Sequence, residues 1–155
     1  MHPSLNISDI FGHDPHFKKI MRNMLQTAFD LSFDGVMITE SGPGFPIVYV
    51  NSAFCELTGY SPQELLGNSP AMLQGEKSDQ KVLDQLKEKI VKGDIFHGKT
   101  INYRKNGVAF MMEWKIVPIR KGDGAISHYL AIQREIKDDE LVHDSAGSRI
   151  SFSQE

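Results

Sequence analysis

The most regular pattern in the chain is an alternation of apolar and polar side chains in its second half. From residue 108 to residue 118 every second side chain is apolar, which is the period of a β-strand with one buried face. We expect that buried face to hold Val108, Phe110, Met112, Trp114, Ile116 and Pro118. Segments 95–105 and 125–136 flank this strand, with turn formers on both sides of it. Asn106-Gly107 is typical of a two-residue hairpin turn, so we predict three consecutive antiparallel strands.

Two further strands and one helix are predicted near the N-terminus. Segments 35–40 and 47–50 have strand character, and turn formers at 41–45 join them. Ahead of them, apolar side chains recur at helical spacing: Phe17, Ile20, Met21, Met24, Leu25 and Ala28. Asp14-Pro15 indicates an N-cap and a first helical position, whereas residues 1–13 show no clear period. The apolar stripe either packs on its own domain or forms a docking or dimerisation helix.

Capping signals predict two short helices after the second strand. Asn51 can cap a helix over residues 52–58, and Gly59 can end it. Residues 61–64 read Ser-Pro-Gln-Glu, a capping box with proline at the first helical position. Gly67 should stop that second helix after about one turn.

A loop over residues 67–75 precedes a longer helix over 78–91. In the loop two glycines bracket Pro70, so it is either a plain connection or a mount for binding groups. The helix should end at Gly93 and direct four apolar side chains inward: Val82, Leu83, Leu86 and Ile90. The order of elements predicts an α+β fold, with a five-stranded antiparallel sheet, short helices on one face and an N-terminal amphipathic helix.

Composition narrows the classes of protein to which the chain can belong. Its 155 residues are 40% hydrophobic and 24% charged with a net charge of −3, which suits a globular domain and supplies no basic field for nucleic acid. No apolar run reaches the roughly 18 residues of a membrane span. The single cysteine, Cys55, fits a reducing compartment, and no secretory signal is visible. We therefore predict a cytoplasmic protein that binds neither nucleic acid nor membrane.

Three regions are expected along the chain. Residues 1–30 form an N-terminal extension with the amphipathic helix, 31–137 form the sheet-containing domain, and 138–155 form a flexible tail that begins acidic and ends rich in small polar residues. No nucleophile–base pair, phosphate-cradling glycine loop or metal-ligand spacing is present in the sequence, so we predict that the chain is not an enzyme.

Polar side chains are expected on the inner face of the sheet. Asn102 points inward if that face continues from the central strand, and the last strand allows two registers. One register buries Tyr129, Ala131 and Gln133, and the more hydrophobic one buries His128, Leu130 and Ile132. In the first register, Asn102, Gln133 and Thr39 converge near Gln74. Each unpartnered buried amide costs about 1–3 kcal/mol. A planar heteroaromatic ligand would satisfy these groups, and so would bonds to one another or to trapped water.

Residues from about 25 to 137 resemble a PAS domain of the light-oxygen-voltage, flavin-binding branch. The resemblance rests on short segments of the sequence: Asn51 to Phe54, Leu57 to Ser61, Glu64 to Gly67, Met72 to Gly75, Ile101 to Gly107, and Ala131 to Gln133. It implies the first register of the last strand, with Asn102 and Gln133 hydrogen-bonded to the polar edge of an isoalloxazine ring. The cofactor-binding residues that it implies are Thr39, Ser69, Leu73, Gln74, Leu83, Lys87, Asn102, Met112, Trp114, Ile116, Tyr129 and Gln133.

Four positions depart from the pattern of that family. The cysteine that forms a light-driven flavin adduct corresponds to Pro70, which has no nucleophile, and Cys55 is expected to be a small buried hydrophobe. Two phosphate-contacting arginines correspond to Ala71 and Lys87, and one ring-contacting asparagine corresponds to Met112. These departures exclude an adduct at position 70 and weaken phosphate binding.

The resemblance implies a sensory signalling module that binds flavin non-covalently, FMN ahead of FAD, and responds to redox state or light without a cysteinyl adduct. A homodimer is expected through the helix around 17–28 and the outer sheet face, which carries Met111, Val117, Ile119, Leu130 and Ile132. A downstream signalling domain or protein would receive the signal. The alternative is a cofactor-free PAS module with an empty pocket that serves dimerisation or interaction.

Overall fold

The structure is a computed structural model that describes residues 6–137, and its centre is a five-stranded antiparallel sheet. The strands are β1 (Gly35–Glu40), β2 (Ile47–Val50), β3 (Phe96–Tyr103), β4 (Ala109–Arg120) and β5 (Ile126–Glu135). Their order across the sheet is β2-β1-β5-β4-β3, so the last strand lies in the middle, between the first hairpin and the second. The predicted α+β fold with five antiparallel strands is confirmed. The predicted tail, 138–155, lies outside the described residues.

The described chain divides after Ser32 into two compact units. The first unit contains α1 (Ile7–Phe11), which the sequence pattern did not predict, and α2 (Phe17–Leu31). The helix α2 is the predicted amphipathic helix, but its N-cap is His16, so the predicted start at Asp14-Pro15 is wrong. The Asp14 carboxylate instead accepts a hydrogen bond from the backbone N–H of His16 at 2.7 Å, which forms a turn ahead of the helix.

Four helical segments connect β2 to β3 in the second unit. They are α3 (Ser52–Thr58), α4 (Pro62–Leu65), a 3₁₀ turn (Pro70–Leu73) and α5 (Gln80–Lys92). The predicted caps of α3 and α4 are confirmed: Asn51 accepts from the N–H of Phe54 at 3.0 Å, and Ser61 and Glu64 form the capping box. The helix α5 begins two residues later than predicted because Asp79 is its N-cap.

The β3–β4 hairpin corrects the predicted turn. The N–H of Arg104 donates to the carbonyl of Val108 at 2.9 Å, which leaves three residues in the loop instead of two. A two-residue turn of the predicted type needs positive φ at both central positions. Only Gly107 has it, with φ of 85°, so the loop is a turn followed by a glycine bulge. Val108 is consequently outside β4 and 51% exposed, and its predicted place in the core is wrong.

The core lies between the inner face of the sheet and the helices, where Phe54 and Leu65 are fully buried. Four of the residues predicted for the buried face of the central strand are in the core: Phe110, Met112, Trp114 and Ile116. The register of β5 implied by the family resemblance is also confirmed, since Tyr129, Ala131 and Gln133 are buried and Ile132 is 43% exposed. Gln133 pairs across the sheet with Trp114, and directly opposed residues share a face. The inner face therefore carries an amide at its centre.

Candidate ligand-binding cavity

A cavity of about 520 Å³ lies within the second unit, between the inner face of the sheet, the 3₁₀ turn and α5. Its volume falls in the usual range of small-molecule sites. Eleven of the twelve residues that the resemblance implied as cofactor-binding line it: Thr39, Ser69, Leu73, Gln74, Leu83, Lys87, Asn102, Trp114, Ile116, Tyr129 and Gln133. Whether they bind a cofactor stays a prediction, but the fold brings them to one wall-lined space.

Met112 is the exception among those twelve, because it does not line the cavity. Its side chain is 1% exposed, and its sulfur accepts a hydrogen bond from Nδ2 of Asn102 at 3.3 Å. Met112 therefore lies behind the cavity wall and holds the Asn102 amide in place. The prediction that it contacts a cofactor is corrected to a positioning contact.

Several wall residues were not singled out as ligand contacts from the sequence. They are Met37, Phe45, Leu86, Ile90, Val91 and Ala131, together with Pro70 and Ala71 of the 3₁₀ turn. Met37 could have been found, because it lies two residues from Thr39 and so shares its face of β1. Phe45 could not, because its loop has positive φ at that residue and its ring position depends on an edge contact with Tyr129, with ring centroids 5.8 Å apart.

Two amide side chains, Asn102 and Gln133, face the cavity from neighbouring parts of the sheet. Their amide nitrogens have thioether partners: Asn102 donates to Met112, and Nε2 of Gln133 lies 4.0 Å from the sulfur of Met37. Sulfur is a weak acceptor. The amide oxygens of both residues accept no hydrogen bond from residues 6–137. Each amide thus offers a donor and an acceptor to an occupant of the cavity.

Aromatic rings form much of the remaining wall. Trp114 packs against Phe96 with ring centroids 5.7 Å apart. The hydroxyl of Tyr129 donates to the carbonyl of Ile90 in α5 at 3.2 Å, which ties the sheet to the helix across the cavity. These contacts hold flat apolar surfaces beside the two amides, an arrangement that suits a planar ring with a polar edge.

The loop between the 3₁₀ turn and α5 is tied to β3, which positions Gln74. The N–H of Lys77 donates to the Tyr103 hydroxyl at 2.9 Å, and the hydroxyl of Ser78 donates to the carbonyl of Ile101 at 2.6 Å. Because Ser78 is used in this way, it cannot cap α5, which explains the later start of that helix. The loop is therefore an anchored wall of the cavity.

The cavity wall carries one charged residue, Lys87, and no cysteine. Cys55, the only cysteine of the chain, lies on α3, is half-buried and does not line the cavity. Burial, and then the nearby Glu56 carboxylate, raise the pKa of the Cys55 thiol. Its expected role as a small hydrophobe agrees with its packing against the core. Among residues 6–137, no group of three or more His, Cys, Asp or Glu side chains could hold a metal ion.

The outer face of the sheet combines charged and apolar residues. The Glu113 carboxylate contacts His97 at 3.1 Å and Arg134 at 2.7 Å. Partial burial opposes ionisation of Glu113, but the hydrogen bonds from these two side chains outweigh it and lower the pKa of the carboxyl. Elsewhere on this face Ile119 and Ile132 are exposed. In the part of the chain that the structure describes, no helix has both the length and the apolar character to cross a membrane.

Comparison with known proteins agrees with this geometry. Residues 33–138, more than half of the chain, match the PAS domain family. The chain belongs to the PAS domain family. Phototropin-1A of Oryza sativa subsp. japonica is 30% identical over 110 residues, which are 71% of this chain and 12% of that protein. Blue-light-activated histidine kinase 1 of Erythrobacter litoralis (strain HTCC2594) is 35% identical over 96 residues, which are 62% of this chain and 27% of that protein.

Solved structures narrow the assignment within the PAS family. The light-state structure of the blue-light photoreceptor Aureochrome1 LOV matches with a TM-score of 0.66 at 32% identity, covering 76% of this chain and 89% of that one. The predicted light-oxygen-voltage-like PAS domain is thereby confirmed, and it is a sensory signalling module by family. The chain spans only a small part of the two curated relatives' length.

Proposed function

We propose that this PAS domain senses redox state or light through a flavin held non-covalently in the cavity, with FMN preferred over FAD. The observation that carries the proposal is the pair of inward amides, Asn102 and Gln133, whose oxygens are unpaired within residues 6–137 and whose nitrogens contact only thioethers. An isoalloxazine ring presents donors and acceptors along one edge and is apolar elsewhere. It would replace the weak sulfur contacts with full hydrogen bonds.

The other wall residues fit the same ring. Trp114, Leu73 and Leu83 supply apolar surface, while Thr39 and Gln74 add polar contacts at the periphery. The ribityl phosphate would reach the end of the cavity where Lys87 of α5 lies. The flavin would supply light absorption and redox chemistry, and the protein would bind it, orient it and exclude water from its ring.

The proposed response does not include a cysteinyl adduct. Pro70 lines the cavity where the resemblance places the reactive cysteine, and Cys55 lies elsewhere on α3. Redox state or light would therefore change the hydrogen bonds that the ring exchanges with Gln133. Gln133 lies on the central strand β5, whose next residue, Arg134, contacts Glu113 on the outer face. The strand provides a short route from the cavity to that face.

An absorption spectrum and a titration test flavin binding directly. Purified protein, as isolated and after incubation with FMN, should absorb in the blue region and bind FMN saturably. Gln133→Leu should weaken FMN binding, whereas Gln85→Leu, an exposed residue of α5 outside the cavity, should not. No saturable binding under either condition would refute the proposal and favour the cofactor-free interaction module.

The output that we propose is non-enzymatic, by contact with a partner protein or domain in the cytoplasm. A homodimer would use the outer sheet face, where Ile119 and Ile132 are exposed, and the apolar stripe of α2, none of whose residues is buried. Light scattering after size-exclusion chromatography should give a dimer mass. A double substitution, Ile119→Asp with Ile132→Asp, should give a monomer, and a wild-type monomer at high concentration would contradict this part of the proposal.

A further inference from the structure

The charges around the cavity bear on which flavins it can distinguish, and this inference rests on the proposed function. Lys87 is the one charged side chain of the wall, and it is exposed to solvent on α5. It forms no ion pair within residues 6–137. Acidic residues are missing from the wall as well, so a neutral tail and an anionic tail meet the same environment apart from this one ammonium group.

The size of the effect follows from that exposure. A solvated ammonium–phosphate pair resembles a surface ion pair, which changes an equilibrium about 1.4- to 5-fold. A buried charge-assisted hydrogen bond would change it about 10- to 150-fold. The ammonium of lysine is also a strongly hydrated point charge without the bidentate geometry of an arginine. The wall therefore contains no group that could reward a phosphate strongly.

We infer that the cavity selects the flavin ring and not its phosphate, so that riboflavin binds within about fivefold of FMN and Lys87 sets the remaining difference. The amides of Asn102 and Gln133 and the apolar wall contact groups that both flavins share. The tail phosphate contributes only a screened attraction at the mouth. The ligand class is thus any flavin with an intact isoalloxazine edge, whether or not its tail is charged.

Titration of the full chain with FMN and with riboflavin, at low salt and at 1 M salt, tests the inference. At low salt FMN should bind no more than about fivefold more tightly than riboflavin. At 1 M salt, where charges are screened beyond about 3 Å, the two affinities should converge. FMN binding more than 50-fold tighter than riboflavin would overturn the inference while leaving the proposed function intact. Binding of neither flavin would refute the proposed function itself.

Two lysine variants of α5 separate the role of Lys87 from general charge. Lys87→Gln should bring the ratio of FMN to riboflavin affinity to about one. Lys81→Gln, on the same helix but outside the cavity wall, should keep the wild-type ratio. Equal weakening of both flavins by Lys87→Gln, or loss of the ratio in Lys81→Gln, would contradict the assignment of Lys87 as the residue that distinguishes them.

Discussion

Replacing Asn102 with leucine should stabilise the ligand-free protein and weaken flavin binding. Asn102 is 7% exposed, its amide nitrogen contacts only the Met112 sulfur at 3.3 Å, and its oxygen faces the cavity. Burying a poorly partnered amide costs about 1–3 kcal/mol, and leucine removes that cost. The adjoining cavity of about 520 Å³ leaves room for the longer side chain, so overpacking is avoided.

The expected magnitudes have opposite signs in the two assays. Without ligand, Asn102→Leu should raise the free energy of unfolding by about 1–2 kcal/mol, and each kcal/mol corresponds to roughly 4–8 °C in Tm for a domain of this size. With FMN, the unpaired ring atom should cost about 1–3 kcal/mol, which is a 5- to 150-fold loss of affinity. Thermal unfolding of flavin-free protein and FMN titration measure the two effects.

Asn51 provides a matched control, because it is a buried asparagine with good partners. Its Oδ1 accepts from the N–H groups of Val36 at 2.8 Å and Phe54 at 3.0 Å, and its Nδ2 donates to the carbonyl of Asp34 at 3.0 Å. Asn51→Leu should therefore destabilise the protein by at least about 2 kcal/mol, since buried donors lose their acceptor. If Asn102→Leu destabilised the free protein as much as Asn51→Leu does, the reasoning about a ligand-facing amide would be refuted.

Three further predictions concern other parts of the second unit. Because His97 and Arg134 lower the pKa of Glu113, its ion pairs contribute stability above the usual carboxyl pKa and lose it as the pH falls through the lowered value. Glu113→Gln should thus destabilise by about 0.5–1 kcal/mol in urea at pH 7 and not at acid pH. Cys55→Ala should leave the flavin spectrum and its light response unchanged; a lost photoproduct would contradict the adduct-free proposal. Phe54→Ala should cost about 3–5 kcal/mol by urea unfolding, and a loss under 1 kcal/mol would contradict its place in the core.

Local signals predicted the helix ends well where one residue type satisfies one backbone group. The caps at Asn51 and Ser61 and the stop at Gly93 depend on side chains within a few residues, and all three are present in the structure. The wrong start of α2 has the same origin. Asp14 can cap a helix or bond within a turn, and the sequence pattern did not distinguish these two uses of one carboxylate.

The site was predictable in its members more than in its geometry. The family resemblance named eleven of the residues that line the cavity, while Phe45 and Val91 reach the wall through loop and helix positions that no short pattern encodes. Met112 was misassigned for a related reason. Alternation places it on the inner face, but whether a side chain on that face meets the cavity or lies behind Asn102 depends on packing.

The amino-acid sequence alone determined the number of strands, most helix ends and the residues that share each strand face, since a period of two and a cap are local properties. From alternation, it could not determine which face of β5 is buried, because both faces carry apolar residues. Tertiary structure decided this by placing β5 between β1 and β4, so that Gln133 lies opposite Gly35 and Trp114 on the inner face. The cavity likewise exists only because residues far apart in the chain enclose a volume that none of them fills.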